Sequence, residues 1–334
     1  MKRLARRYAM LPMIAAFLAV LFTGFAAVAQ EKPASVNPTA SSVKEQQLLD
    51  ALKGVSQGTP AVAGRVTIPD KRSGNLIQPG GQDWRSQHES TVPFVGAVAV
   101  LGMLALLIVF YLIRGRIPIS GGRSGRTITR FGFFERFTHW MTATAFLLLG
   151  FTGLNMTFGK RILLPVIGPD SFAALTQLGK FVHNYVSFAF ALGVLLMFLL
   201  WVKDNFPHPR DLLWFAKGGG LLGFHVNAGR FNAGQKVIFW TVVLGGALLS
   251  FTGYIMMFPF QFTDLAGQQY YTIIHALVGL IMLAVIFAHI YIGSVGMDGA
   301  IEAMGSGEVD LNWAKEHHSI WVDRTLGEKS VPAE

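Results

Sequence analysis

Four histidines, His139, His183, His275 and His289, fall within or at the edge of long apolar stretches. An ionisable side chain in hydrocarbon is costly, so each marks a functional site by default. One alone could be a hydrogen-bonded helix contact; four together point to shared chemistry. His275 and His289 stand 14 residues apart in a single stretch. In a helix that is about 21 Å along the axis and a return to within roughly 40° of the same face. One helix therefore offers two imidazoles on one side at two depths. His183 opens its stretch at the end shared with His275, and His139 at the end shared with His289. Two depths exclude one convergent ion such as zinc. They fit two b-type iron porphyrins, the outer between His183 and His275, the inner between His139 and His289. Iron held by two neutral imidazoles is six-coordinate, an electron carrier with no open position for oxygen chemistry.

The chain has no cysteine. That excludes thiolate-bound iron–sulfur clusters, disulfides and covalently attached c-type haem, leaving histidine as the obvious ligand. Ala276, Gly279, Ala288 and Gly293 flank the two histidines of the last stretch and would leave room for a flat ring. Such residues are also common at any membrane helix interface. The other five histidines lie outside the apolar stretches: His88 in a polar arm, His208 in a Pro-His-Pro turn, and His225, His317 and His318 in polar segments. These five read as solvated or hydrogen-bonded surface residues.

The elements that must hold the four histidines are legible in composition. Of 334 residues, 52% are hydrophobic and 14% charged, against about 25% charged in a soluble protein. Five apolar stretches run approximately over 92–113, 137–158, 181–202, 236–258 and 271–296. Each has the roughly 20 residues needed to cross about 30 Å of hydrocarbon. Apolar on all sides, they must satisfy their own backbone in lipid and are helices. The expected fold is an all-α membrane protein: a four-helix, haem-binding transmembrane bundle over 126–300, with one extra transmembrane helix over 91–115 before it.

The net charge of +9 lies beside the apolar stretches, as topology signals do, and is no footprint of nucleic acid. Arg114, Arg116, Arg123, Arg126, Arg130 and Arg136, opposed only by Glu135, put the loop between the first two spans in the cytoplasm. Residues 203–235 carry Lys203, Arg210, Lys217 and Arg230 and suit the same side, whereas 259–270 has no Lys or Arg and faces out. The loop over 159–180, with three basic residues against one Asp, fits the rule worst. Residues 1–29 have the basic start, apolar run and Ala27-Val28-Ala29 of a secretory signal. Residues 30–90, rich in Ser, Pro, Gly and Gln, read as a largely extended periplasmic arm. Residues 301–334 then form a cytoplasmic tail of a multi-pass inner-membrane protein.

Trp140 and Leu148-Leu149-Gly150-Phe151-Thr152-Gly153-Leu154-Asn155-Met156 recur 100 residues later as Trp240 and Leu248-Leu249-Ser250-Phe251-Thr252-Gly253-Tyr254-Ile255-Met256. Either the second and fourth spans are related by duplication, or Thr-Gly is a shared close-packing device.

Arg230-Phe231-Asn232-Ala233-Gly234-Gln235-Lys236 leads into the fourth span at the level of the inner pair. A quinone needs donors to its carbonyls and an apolar wall. Asn232, the Gly234 backbone and Gln235 can donate, and Phe231 and Phe239 can form the wall. Asn232 is equally a good helix N-cap, and spacing does not choose between the two.

Over about 126–325 the chain resembles the cytochrome b (gamma) subunit of respiratory, membrane-bound formate dehydrogenase. The residues carrying this are Glu135-Arg-Phe-Thr-His139-Trp140, Arg230 to Lys236, the His275/His289 spacing and Trp313-Ala-Lys-Glu-His317-His318. The resemblance implies haem ligands at His139, His183, His275 and His289, and a quinone site near Asn232, Gly234 and His289. It implies partners as well: a periplasmic molybdenum or tungsten catalytic subunit that oxidises formate, and an iron–sulfur subunit that relays electrons to the outer haem. Quinone, either menaquinone or ubiquinone, would be reduced near the cytoplasmic side. The alternatives are a cytochrome b subunit of a nickel–iron hydrogenase or of a sulfur-compound reductase and, in another class, a transporter or scaffold.

Overall fold

The computed structural model describes residues 81–220 and 224–327. The expected signal, the arm up to residue 80 and the last residues, 328–334, lie outside the described residues. The longer helices among the described residues are α1 (Gly81–Arg114), α2 (Phe133–Ile162), α3 (Pro169–Trp201), α4 (Pro209–Ala216), α5 (Ala233–Met257), α6 (Leu265–Gly296) and α7 (Leu311–Leu326). Two short strands, β1 (Thr127–Thr129) and β2 (Glu308–Asp310), pair antiparallel with Ile128 opposite Val309. Helices α1, α2, α3, α5 and α6 are each long and apolar enough to span a bilayer.

The helices begin earlier than the apolar stretches because polar residues can finish a helix that hydrocarbon does not require. Helix α1 starts at Gly81 and passes through a π-helical turn at Gln87–Thr91 before its apolar part. Helix α3 starts at Pro169, where the missing N–H costs nothing. Little loop is left between α2 and α3, and Arg161 at the end of α2 donates to the backbone carbonyl of Glu89 in α1. A structural partner thus accounts for one of the basic residues that fit the charge rule worst.

Helices α2 and α3 lie along one another, α5 contacts α3 and α6, and α1 rests on α6. Close approach depends on glycine at two crossings. A Cβ at Gly193 would lie 2.1 Å from Thr142 Oγ1, and one at Gly96 2.5 Å from Leu280 Cδ1. Without a hydrophobic drive between helices in lipid, such backbone proximity supplies the van der Waals contact that holds them. The outward faces are apolar and exposed; Ile113 is 82% exposed. That is the arrangement expected when lipid is the solvent.

The arginine-rich end is closed by a polar-jacketed cap. Strand β2 and helix α7 bring Val309, Trp313 and Val322 against Phe131, Trp201, Phe231 and Phe239 in one buried cluster. The expectation that His317 and His318 are solvated or hydrogen-bonded surface residues fails in their placement: His317 is 9% exposed and His318 is fully buried. A tail read only for its polarity hides the aromatic and β-branched positions that fold it back onto the bundle.

Candidate functional site

Helix α2 begins at an N-terminal box in which the Gly132 N–H donates to Glu135 Oε2 at 2.9 Å. The other oxygen of Glu135 accepts from Trp201 Nε1 at 2.7 Å and from Arg230 Nη2 at 2.6 Å. One carboxylate thus fixes the start of α2 to the end of α3 and to the lead-in to α5. One turn further on is His139, and its neighbour Trp140 donates from the indole to the carbonyl of Met304 at 2.8 Å.

The four intramembrane histidines meet in two pairs. The ring centroids of His139 and His289 are 6.1 Å apart with an interplanar angle of 62°. Those of His183 and His275 are also 6.1 Å apart at 62°. Two metal–nitrogen bonds of about 2 Å, each with about 1.1 Å from nitrogen to ring centre, separate trans imidazoles on one metal by about 6.2 Å. Direct stacking would bring the rings closer, and a bond between them would align a donor with an acceptor. The rings meet edge to face, an ordinary arrangement at this spacing, and the gap also suits one metal atom flanked by two nitrogens.

The tautomer at the His183/His275 pair follows from the threonines. Thr152 Oγ1 lies 2.8 Å from the Leu148 carbonyl and 2.7 Å from His183 Nδ1. With its single hydrogen on the carbonyl, the hydroxyl oxygen accepts from Nδ1–H, which leaves Nε2 with a free lone pair. Thr252 repeats this, 2.8 Å from the Leu248 carbonyl and 2.8 Å from His275 Nδ1. Anchoring one ring nitrogen so that the other can bind metal is the usual outer-shell device. Glycine follows each threonine: a Cβ at Gly153 would lie 3.8 Å from His183 Cε1, and one at Gly253 3.2 Å from His275 Cε1. At the other pair, His139 Nδ1 is buried without a hydrogen-bond partner among the described residues, so it is open to a group from outside the chain.

The sequence echo thus extends into contacts. Arg130 Nη2 donates to the Arg230 carbonyl at 2.6 Å, and Arg230 Nη2 to the Arg130 carbonyl at 3.4 Å. Phe131 and Phe231, next in each copy, have ring centroids 5.9 Å apart. Trp240 Nε1 donates to the Asn205 carbonyl at 2.9 Å, as Trp140 does to Met304. The offset is 100 between α2 and α5 and 92 between α3 and α6, if His183 is matched with His275. On that register His139 corresponds to Phe239 and His289 to Met197. Both of these are buried apolar residues, so the His139/His289 pair has no imidazole counterpart in the other half of the repeat. Thr152 and Thr252 are not among the site residues expected from sequence, although Phe-Thr-Gly in both halves of the chain is the signal that marks them.

Asn232 and Gln235 form a reciprocal box at the start of α5: Gln235 N–H donates to Asn232 Oδ1 at 3.0 Å, and Asn232 N–H to Gln235 Oε1 at 3.2 Å. The box uses their oxygens and leaves the amide nitrogens, which are the donors a quinone carbonyl would need. Arg130 Nη2 also reaches Gln235 Oε1 at 3.4 Å. Gly234 is needed for packing, since a Cβ there would lie 2.8 Å from the Trp214 ring. Arg130 itself is enclosed, with Phe131, Trp313 and Trp321 rings within 5.6 Å of its guanidinium carbon. Burial, and then the nearby Arg230, lower it to about 9. His318 Nδ1 faces the Gly229 carbonyl at 3.0 Å, and burial pushes this imidazole well below its ordinary value. His208 caps α4 by accepting from the Arg210 N–H at 3.2 Å, and His88 stacks on Trp84.

Residues 130–307 match the family described as prokaryotic cytochrome b561. The chain is 29% identical over 203 residues to the nitrate-inducible formate dehydrogenase cytochrome b556 subunit of Escherichia coli (strain K12), covering 59% of this chain and 90% of that protein. It is 30% identical over 203 residues to a second formate dehydrogenase cytochrome b556 subunit of the same strain, covering 58% and 92%. A formate dehydrogenase cytochrome b556 subunit of Haemophilus influenzae is 28% identical over 199 residues, covering 56% and 78%.

Proposed function

Because the chain belongs to the prokaryotic cytochrome b561 family, among the formate dehydrogenase cytochrome b subunits, we propose that it carries electrons across the membrane through two haem b groups to quinone. Haem b, when bound, supplies a one-electron iron couple. His183 and His275 would hold the outer group, and His139 and His289 the inner one. The observation that carries this reading is the pair of equal ring spacings, 6.1 Å each, on two levels of α6.

Each side chain then has a task. Thr152 and Thr252 hold the outer imidazoles in the tautomer that presents Nε2, and Gly153 and Gly253 keep space beside the rings. The apolar walls of α2, α3, α5 and α6 exclude water, which favours outer-sphere electron transfer over side chemistry. Asn232 and Gln235 would donate from their amide nitrogens to a quinone carbonyl at the arginine-rich end, with Phe231 and Phe239 as its wall. That end carries the arginines that favour the cytoplasm, so two electrons from outside and two protons from inside would convert quinone to quinol. Charge would cross the membrane as electrons, without proton pumping. The electrons would come from formate oxidised on a molybdenum or tungsten catalytic subunit, by way of an iron–sulfur subunit. The named relatives are formate dehydrogenase subunits, which favours this over a hydrogenase or sulfur-compound reductase partner.

The test is a count and a rate on the complex purified from membranes. Two b-type haems per chain and formate-driven quinone reduction are expected. A haem-replete preparation with a single haem, or without b-type bands in the reduced-minus-oxidised spectrum, overturns the reading.

A further inference from the structure

A third meeting of imidazoles lies outside the bundle, where the segment before α5 touches helix α7. His225 Nε2 is 2.9 Å from Glu316 Oε1. Ligand atoms of His225, Glu316 and His317 all lie within 4.8 Å of one another.

Ring spacing separates this cluster from the bundle pairs. The centroids of His225 and His317 are 5.3 Å apart. Two imidazoles sharing a tetrahedral ion, with bonds of about 2.0–2.1 Å, have centroids about 5.1 Å apart, whereas trans imidazoles have them about 6.2 Å apart. The bundle pairs, at 6.1 Å, match the trans arrangement; this pair matches the tetrahedral one. Consecutive residues of a helix normally diverge by about 100°. Here Glu316 and His317 are brought together by His225, which faces both from the opposite segment.

The carboxylate is held in place by another part of the chain. The Ser120 N–H donates to Glu316 Oε2 at 2.9 Å, and its hydroxyl to Oε1 at 3.1 Å. His317 is braced by the Trp313 ring, with centroids 5.1 Å apart. Ligands oriented by outer contacts are what a built metal site requires.

We propose that His225, Glu316 and His317 bind a divalent cation of the zinc class. Two imidazoles and one carboxylate suit zinc, whereas magnesium and calcium prefer all-oxygen shells. Water completes the fourth position. Tetrahedral edges of about 3.3 Å are reached by side-chain rotation, with His225 on an irregular segment free to follow. The bound ion ties the segment before α5 to the tail helix, and through Glu316 to the Ser120 loop. It does so in a chain without any cysteine to form other cross-links.

The experiment measures zinc per chain in the membrane complex isolated from zinc-replete cells, together with zinc X-ray absorption. A zinc with two imidazole nitrogens and oxygen donors is expected. His225→Ala should lower the zinc attributable to this chain at least tenfold while both haem bands keep their intensity. Ser120→Ala, which spares all three ligands but removes the hydroxyl bond that orients Glu316, should weaken zinc retention less than His225→Ala does. His317→Gln should lower the zinc as well, and should that variant fail to fold, the absorption spectrum of the unaltered protein still decides. Full zinc retention in His225→Ala, or no imidazole-bound zinc in the unaltered complex, overturns the proposal.

Discussion

Thr252 Oγ1 sits 2.8 Å from His275 Nδ1 and 2.8 Å from the Leu248 carbonyl; with the hydroxyl hydrogen on the carbonyl, the imidazole is the donor between them. This one contact sets the tautomer of a histidine inside the membrane. Replacing Thr252 with Ala removes the acceptor and the basicity it lends to the ring. Haem retention at the outer position should weaken roughly tenfold, and its midpoint potential should rise as the ligand becomes a poorer donor. Redox titration followed at the haem bands checks both, and Thr252→Ser should restore them.

Gly253→Ala probes the space rather than the bond. The new methyl would lie 3.2 Å from His275 Cε1, close enough to tilt the ring. Loss of the outer haem signal with the inner one retained is expected in the pyridine haemochrome and low-temperature spectra.

His289→Ala should remove the inner haem and quinone reduction together, while the outer haem survives in part because His275 lies about 21 Å away along α6 and His183 is on α3. Two full haem equivalents in this variant would refute the assigned pairing.

Asn232→Ala divides two roles. As a cap alone it should cost about 1 kcal/mol of stability, seen as a lower unfolding temperature with quinone turnover unchanged. As a quinone donor it should also slow turnover several-fold with both haems in place.

Asp298 gives a pH dependence outside the bundle. Arg123 donates to it at 2.8 Å and Arg116 at 3.1 Å. The hydrogen bond from Arg123, against the opposing effect of burial, holds the carboxyl below its ordinary range. Its stabilising contribution is therefore present above the unfolded carboxylate value of about 3.9 and is lost as pH falls through the lower folded value. Asp298→Asn should be less heat-stable than the parent at pH 7, and the difference should narrow as the pH is lowered from 5 toward 3.

What the sequence determined by itself is whatever depends on solvent and on helix periodicity. Hydrocarbon forces apolar runs into helices, and a 14-residue separation returns to one face; hence the five spans and the two depths of His275 and His289. The Trp-to-Met echo was visible too, but not its meaning, because only the helix crossing brings Thr152 to His183 and Thr252 to His275. The capping role of Asn232 was one of two open readings, and it became visible only once the reciprocal bonds with Gln235 were formed. The tail was least legible. Its polarity describes its outer face, whereas Val309, Trp313 and Val322 decide where it goes. Burial of His318 and convergence of His225 with Glu316 and His317 arise between segments some 90 residues apart. No local pattern encodes such a meeting; packing of the cap onto the bundle end produces it.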